Sequence, residues 1–326
     1  MSPPGTGSRV VSVGGRHIEL TNLGKVLFRE SGITKAELIG YYDRIAPVML
    51  PLIKGRPITM HRFPGGAGEG GFFQKRAASY FPEWVNRARI GIREGIGTGE
   101  RAATKFMEQI TCENRATLVY LANLACIPHV WLSRVDKIDY PDRMVFDLDP
   151  ASGPPEDPSG FESVRYGALM LREVLTGAGM ESFVMTTGSR GLHVTVPLRR
   201  DADFSETRDF ASAVAGVIAG LAPDYFTSEF ARGERGGRLF IDTYRNAFAQ
   251  TAVAPYAVRA LPGAPVAAPV DWEEVKDRRR RLTARKYTIR NIFERLDRRG
   301  DPWKAMAGKS FSVKSAVTRL KAGNML

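Results

Sequence analysis

Cysteine is nearly absent: the 326-residue chain has only Cys112 and Cys126, and no Cys-x-x-Cys pair. Two thiols cannot staple a chain of this length, which excludes a disulfide framework and fits a reducing cytosol. No apolar stretch is long enough to cross a bilayer, so a membrane partner drops behind nucleic acid. The first fifteen residues are rich in Gly, Ser and Pro and carry no apolar segment of the kind a secretory signal needs. They read as a disordered leader. Acidic residues are in deficit, 35 against 47 Lys and Arg, for a net charge of +12. Such an excess favours polyanionic partners, nucleic acid first, although a basic protein without a nucleic-acid role has the same balance.

The chain has 43% apolar and 25% charged residues, the balance of a globular protein with one large domain or two smaller ones. No internal repeat is present. Thr34, with Glu37 three residues on, predicts a capping box before a helix that places Leu38, Tyr41, Tyr42 and Ile45 on one face. The glycine-dense stretch 65–71 predicts a loop. Residues 115–127 read as a buried helix and 144–148 as a short strand. A Pro/Gly loop is expected over 151–160, then a helix over 161–175 ended by Gly177 and Gly179. Residues 182–186 and 192–198 read as strands, 204–221 as a helix and 238–243 as a further strand. From Asp271 the tail is charge-rich and mostly helical in pattern, with a basic run at 278–281. The mixture predicts an α/β or α+β fold.

The sharpest chemical signal is Asp147 and Asp149 within Val145-Phe146-Asp147-Leu148-Asp149-Pro150. On a strand, positions i and i+2 share a face, so both carboxylates project to one side near the strand end. Adjacent carboxylates repel unless a cation lies between them, and oxygen-only ligation suits Mg²⁺ or Mn²⁺. Asp242, at the end of another apolar strand, would complete a three-carboxylate set for two-metal phosphoryl transfer. Taken alone, Asp-x-Asp is also an ordinary Asx-capped turn. The run Thr187-Gly-Ser189-Arg190-Gly-Leu-His193 combines glycines that let backbone N–H groups approach a phosphate with a hydroxyl, a guanidinium and an imidazole. Its structural alternative is a plain glycine hairpin with a satisfied histidine. Lys25, Lys35, Arg56 and Arg62 precede Phe72-Phe73-Gln74-Lys75. Lysines neutralise phosphates and exposed rings stack on unpaired bases, whereas a Phe pair is more commonly core.

The order of these pieces resembles the polymerase domain of bacterial DNA ligase D, within the archaeo-eukaryotic primase superfamily. The matching motifs are Leu20-Thr-Asn-Leu-Gly-Lys25-Val-Leu27, Phe72-Phe73-Gln-Lys75, the 145–150 run, and 187–193 with Thr187 for Ser and Arg190 for Lys. They continue with Ile241-Asp242-Thr243, Asn246 and Ala254-Pro-Tyr-Ala-Val-Arg259. The resemblance covers roughly residues 17–300. Thr243 stands where the family has an aromatic, and Arg190 keeps the charge of Lys but not its geometry.

The resemblance implies an α+β fold: a primase-type core with an RRM-like sheet flanked by helices, and a smaller N-terminal subdomain. The implied boundaries are a leader at 1–15, a primase-polymerase domain at 16–300 and a basic helical segment at 271–326. Within the domain, the N-terminal part runs roughly 16–110 and the catalytic part roughly 111–270. The implied activity is addition of NTPs or dNTPs to a 3′-hydroxyl at DNA gaps or double-strand breaks, in bacterial non-homologous end joining. Asp147, Asp149 and Asp242 are then the catalytic and metal residues, holding two Mn²⁺ or Mg²⁺. Ser189, Arg190, His193, His129, Arg232 and Arg259 become nucleotide contacts, with Arg235 and Arg238 continuing the basic ladder of Arg232. Lys25 and Lys35 become contacts to a 5′-phosphate, Phe72 and Phe73 a template-stacking pair, and Arg62 and Lys75 further DNA contacts. Ku and a DNA ligase are the implied protein partners, in the bacterial cytoplasm at the nucleoid. The sequence shows no ligase or nuclease segment, so it reads as a stand-alone polymerase or an excised domain. Two other readings stay open: a catalytically inert DNA-end-binding module, and a dedicated primase.

Overall fold

The computed structural model describes residues 7–92, 105–150, 158–229 and 232–323. Two six-stranded sheets carry the molecule, joined by one large apolar core. The first sheet runs in the order Phe226–Thr227, Leu239–Asp242, Arg143–Asp149, Leu192–Pro197, Phe183–Thr186, Pro269–Val270. Its pairings are antiparallel, except that Phe226–Thr227 runs parallel to Leu239–Asp242. The three central strands are buried almost throughout, so they read as continuous apolar runs.

Helices Pro158–Gly177 and Phe204–Leu221 pack on each other and on this sheet. The second begins where Asp203 accepts from the Glu206 backbone N–H at 2.8 Å and Glu206 accepts from the Asp203 N–H at 2.9 Å. That reciprocal cap satisfies two otherwise orphaned donors, worth about 1 kcal/mol for the cap residue alone. The same device, Thr34 with Glu37, starts helix Lys35–Ile53 at the position the sequence predicts. Leu38, Tyr41, Tyr42 and Ile45 of that helix are all buried.

The second sheet runs Thr251–Val253, Cys126–Trp131, Ile58–Arg62, Lys105–Ile110, Arg87–Ile92, with Phe72–Gln74 also paired to Ile58–Arg62. Its strands come from both halves of the chain. A sequence boundary near residue 110 therefore does not separate the two sheets.

Several expectations need correction. Residues 9–13, expected in a disordered leader, form strand Arg9–Val13, which pairs with Arg16–Leu20 across a Gly14-Gly15 turn. Both glycines have positive φ, as a two-residue hairpin turn requires. The first six residues lie outside the described part. The helix expected over 115–127 ends at Asn123; Ala125 takes φ +49° and Cys126 opens the next strand. Of the loop expected at 151–160, residues 151–157 lie outside the described part, and 158–160 already belong to a helix. The tail is less helical than its pattern suggests: Trp272–Lys276, Ile292–Arg299 and Val313–Ala322 are short helices separated by turns and irregular chain. It packs against the body, with buried Arg295 on Glu274 at 2.5 Å and Trp303 donating to the Val184 carbonyl at 3.0 Å. Among the described residues no helix is long and apolar enough to cross a membrane.

Candidate active site

The centre of the first sheet brings the predicted acidic residues together by register alone. Asp147 stands directly opposite Asp242 on one neighbouring strand and opposite His193 on the other. Opposed residues on an antiparallel pair share a face, with Cβ atoms ~4.5–5.5 Å apart. Asp149 lies two positions on, on the same face, beside the turn that leads into His193. Gly191 in that turn is obligatory: a Cβ there would fall 1.7 Å from the Leu148 carbonyl oxygen and 3.1 Å from Asp149 Oδ1. The glycine lets the turn press against the aspartate strand, and Gly188 supplies a left-handed φ of +63°.

Asn246 ties the two acidic strands together. Its amide donates to the Val145 carbonyl at 2.7 Å and accepts from the Val145 N–H at 2.8 Å, while also donating to the Thr243 carbonyl. This fixes the short turn Tyr244–Asn246 over the aspartate strand and puts Arg245 next to Asp147. Thr243, where the family has an aromatic, is buried and pairs its hydroxyl with Ser212 at 3.1 Å.

The electrostatics follow from that crowding. Burial would raise the Asp147 carboxyl, but His193 Nε2 at 3.3 Å and Arg245 Nε at 3.3 Å more than offset it and hold it well below the usual range. Burial, then the charge of Asp147, raises Asp149; Arg190 at 3.4 Å opposes the rise only in part. Burial also raises Asp242, against the hydrogen bond it accepts from the Tyr244 N–H at 2.7 Å. His129 is pushed far down by burial and by the nearby Arg259, so it is a neutral imidazole at pH 7. Its Nε2, and Nδ1 of His193, are buried without a hydrogen-bond partner.

A small polar cavity of about 100 Å³ joins Asp147, Asp149, Ser189, His193, His129 and Arg259. His129 belongs to the second sheet, so the cavity lies where the two sheets meet. Arg259 is held by a 2.7 Å bond to the Thr187 carbonyl, and Ser189 by Arg285, which donates to its carbonyl at 3.0 Å. Arg245 and Arg285 escaped the sequence reading. Arg245 had a usable signal, since it sits three residues after the third aspartate.

The remaining candidates lie outside this cavity. Lys25 is exposed and Lys35 is buried; the Lys35 N–H donates to the Lys25 carbonyl at 2.8 Å, so the two are neighbours. Phe72 and Phe73 are 48% and 62% exposed, which rules out core packing for the pair. Phe73 stacks on His61 at 4.6 Å and meets the His129 ring edge-on at 5.6 Å, linking the exposed rings to the cavity wall. Arg62 donates to Gln74 and to the Tyr80 hydroxyl, and Lys75 is exposed. The Arg232 side chain lies outside the described residues, while Arg235 and Arg238 donate to backbone carbonyls. Arg56 is fully buried on Asp142 and belongs to the interior rather than to a DNA face.

Three carboxylates on adjacent strands offer the hard oxygen donors that suit Mg²⁺ or Mn²⁺. They are not drawn up as a ligand set: among the described residues, no three His, Cys, Asp or Glu side chains form a group that could hold a metal ion. Basic side chains and a backbone N–H contact the carboxylates.

Residues 34–303 match the family model described as LigD, primase-polymerase domain. The chain belongs to that family. It is 33% identical over 284 residues to the multifunctional non-homologous end joining protein LigD of Mycolicibacterium smegmatis, covering 87% of this chain and 35% of that protein. It is 30% identical over 288 residues to the bifunctional LigD of Bacillus subtilis, covering 88% of this chain and 43% of that protein. The chain thus spans well under half the length of these relatives. Among solved structures it is similar to the polymerase domain of Mycobacterium tuberculosis ligase D in complex with DNA. That match has a TM-score of 0.78 and 29% identity, covering 90% of this chain and 99% of that one. The mixed α and β architecture of a LigD polymerase domain is therefore shared by this chain.

Proposed function

We propose that this LigD primase-polymerase domain adds NTPs or dNTPs to the 3′-hydroxyl of a DNA end or gap during non-homologous end joining. The observation that carries the reading is the register placing Asp242 opposite Asp147, with Asp149 two residues on, beside Ser189, His193, His129 and Arg259. Asp147, Asp149 and Asp242 would hold divalent metal, Mn²⁺ or Mg²⁺. Such ions supply a lowered pKa for the attacking hydroxyl and charge neutralisation on the phosphates.

The chain's own groups do the rest. Ser189, Arg190 and Arg259 bind and orient the triphosphate, with Arg232 as a further contact. His129 and His193 each offer a buried ring nitrogen without a partner to a phosphate oxygen or hydroxyl. Arg245 and Arg190 screen the carboxylates until substrate arrives, and then sit beside the phosphates. Lys25 and Lys35 take a 5′-phosphate on the downstream side of the gap. Phe72 and Phe73 stack on template bases, with Arg62 and Lys75 on the backbone. Ku and a DNA ligase are the partners this reading names, in the bacterial cytoplasm.

A catalytically inert DNA-end-binding module would draw on the exposed Phe72 and Phe73 and on exposed Lys25 and Lys75, which serve DNA binding without catalysis. Extension of a primed, gapped duplex with Mn²⁺ separates the readings. Nucleotide addition by the parent and none by Asp149→Ala supports the polymerase; no addition by the parent leaves the binding module. Synthesis on bare single-stranded template, without a primed gap, would mark a dedicated primase instead.

A further inference from the structure

A second cavity lies away from the aspartates and shares no lining residue with their pocket. It holds about 650 Å³, within the range of small-molecule sites. Its walls are mostly apolar, from Pro47 and Leu52 of helix Lys35–Ile53, Leu198, and Trp303 and Met306 of the tail. Its charged lining sets Arg134, Arg143, Lys304 and Lys309 against the carboxylates of Asp142 and Asp301. Arg143, at the opposite end of the strand that carries Asp147, is only 7% exposed.

The guanidinium of Arg143 makes no hydrogen bond or ion pair to any described residue. Its neighbour Asp142 attracts it but makes its direct contacts elsewhere, with Arg56 at 2.7 Å and Arg134 at 2.8 Å. None of the guanidinium nitrogens is sealed inside the protein without a partner, so the group reaches the cavity surface. Burial and the charge of Arg56 both work against the protonated guanidinium, and Asp142 offsets them only in part. An arginine does not deprotonate to escape this. Buried cations are otherwise paired, so a missing anion is the feature to explain. At the rim, exposed Lys304 adds charge of the same sign.

We propose that this cavity binds a small organic anion, with a carboxylate or phosphate head on Arg143 and an apolar body against Trp303, Met306 and Leu52. Arginine's planar fork suits both heads, so the head group is left for experiment to separate. The proposal is independent of the polymerase reading, since its readout is binding alone.

Isothermal titration of the full chain tests it, with three probes: 4-phenylbutyrate, phenyl phosphate and the neutral 4-phenyl-1-butanol. At least one of the two anions should bind roughly tenfold or more tighter than the alcohol, the scale of one charge-assisted hydrogen bond. Tighter 4-phenylbutyrate would identify a carboxylate ligand, and tighter phenyl phosphate a phosphorylated one. Arg143→Met should abolish the advantage of the anion and leave the alcohol unaffected. The same variant should melt no lower than the parent, because an uncompensated buried charge has been replaced by an apolar chain. Ala307→Trp, at the exposed mouth, should weaken all three probes; should Arg143→Met fail to fold, this variant decides alone. Equal affinity for anion and alcohol, no binding of either anion, or unchanged anion binding in Ala307→Trp would overturn the proposal.

Discussion

The aspartate pocket and the lysine pair of the N-terminal region neutralise crowded like charges in opposite ways. Asp147, Asp149 and Asp242 each have a basic side chain or a backbone N–H within hydrogen-bond reach. Lys25 and Lys35 have only the Pro64 carbonyl at 2.5 Å and the Thr21 hydroxyl at 3.2 Å, and no described carboxylate pairs with either. Burial and the charge of Lys25 bring Lys35 down to about 8. Asp147 and Asp149 therefore carry their own counter-charges, Arg245 and Arg190, while Asp242 has a backbone N–H. Under the proposed function the lysines take an external anion, the 5′-phosphate, with Lys35 at the start of a capped helix.

Removing an acidic member should cause the largest effect. Asp147→Ala or Asp149→Ala should slow primer extension by at least roughly a hundred- to a thousandfold, the loss typical of one preorganised electrostatic contact. Affinity for DNA, read by gel shift, should stay within about twofold, because phosphate contacts dominate it. Removing a lysine should act on substrate choice instead. Lys25→Ala should reduce the preference for a 5′-phosphorylated over a 5′-hydroxyl gap by roughly ten- to a hundredfold, with little change on the 5′-hydroxyl substrate. Equal loss on both would make Lys25 a general electrostatic contact and erase the contrast between the sites.

Much of this arrangement is legible in the amino-acid order. The capping pairs Thr34/Glu37 and Asp203/Glu206 sit where the helices start, and the helix read over 204–221 has those bounds. The strand containing Asp147 and the glycine turn before His193 follow from short-range pattern too. The second sheet was hidden, because its strands are drawn from far-apart segments and its pairing is set by tertiary contact. The end of the helix at Asn123 was hidden for a different reason. The apolar run from Leu124 into Cys126-Ile127 suits a buried helix or a buried strand equally, and periodicity cannot choose between them. The Arg9–Leu20 hairpin was readable from Gly14-Gly15, but the composition of the leader masked it. Asp242 was found by its strand, whereas its partnership with Asp147 depends on a register no local pattern encodes.

Asn246 probes the internal side of the comparison, since it fixes the turn that carries Arg245 to Asp147. Asn246→Ala strands the Val145 N–H and carbonyl in the interior and should lower unfolding stability by about 1–3 kcal/mol in chemical denaturation. The smallest effect concerns pH. Lys35 is charged below about 8 and neutral above it, so its pull on a 5′-phosphate weakens as pH rises. The 5′-phosphate preference should fall a few-fold between roughly pH 7 and 9, with a midpoint at or above 8, because bound phosphate favours the protonated amine. Lys35→Arg, charged throughout, should flatten that profile.

Under the proposed function Asp242 joins Asp147 in holding one cation although the two are separated by about a hundred residues of chain. Titrating Mn²⁺ into the parent and into Asp242→Ala, with free Mn²⁺ followed by electron paramagnetic resonance and a nucleotide present, tests it most directly. The parent should take up Mn²⁺ and extend a gapped duplex, while the variant binds Mn²⁺ at least about tenfold more weakly and does not extend. Parent-like Mn²⁺ uptake and extension by Asp242→Ala would contradict the account.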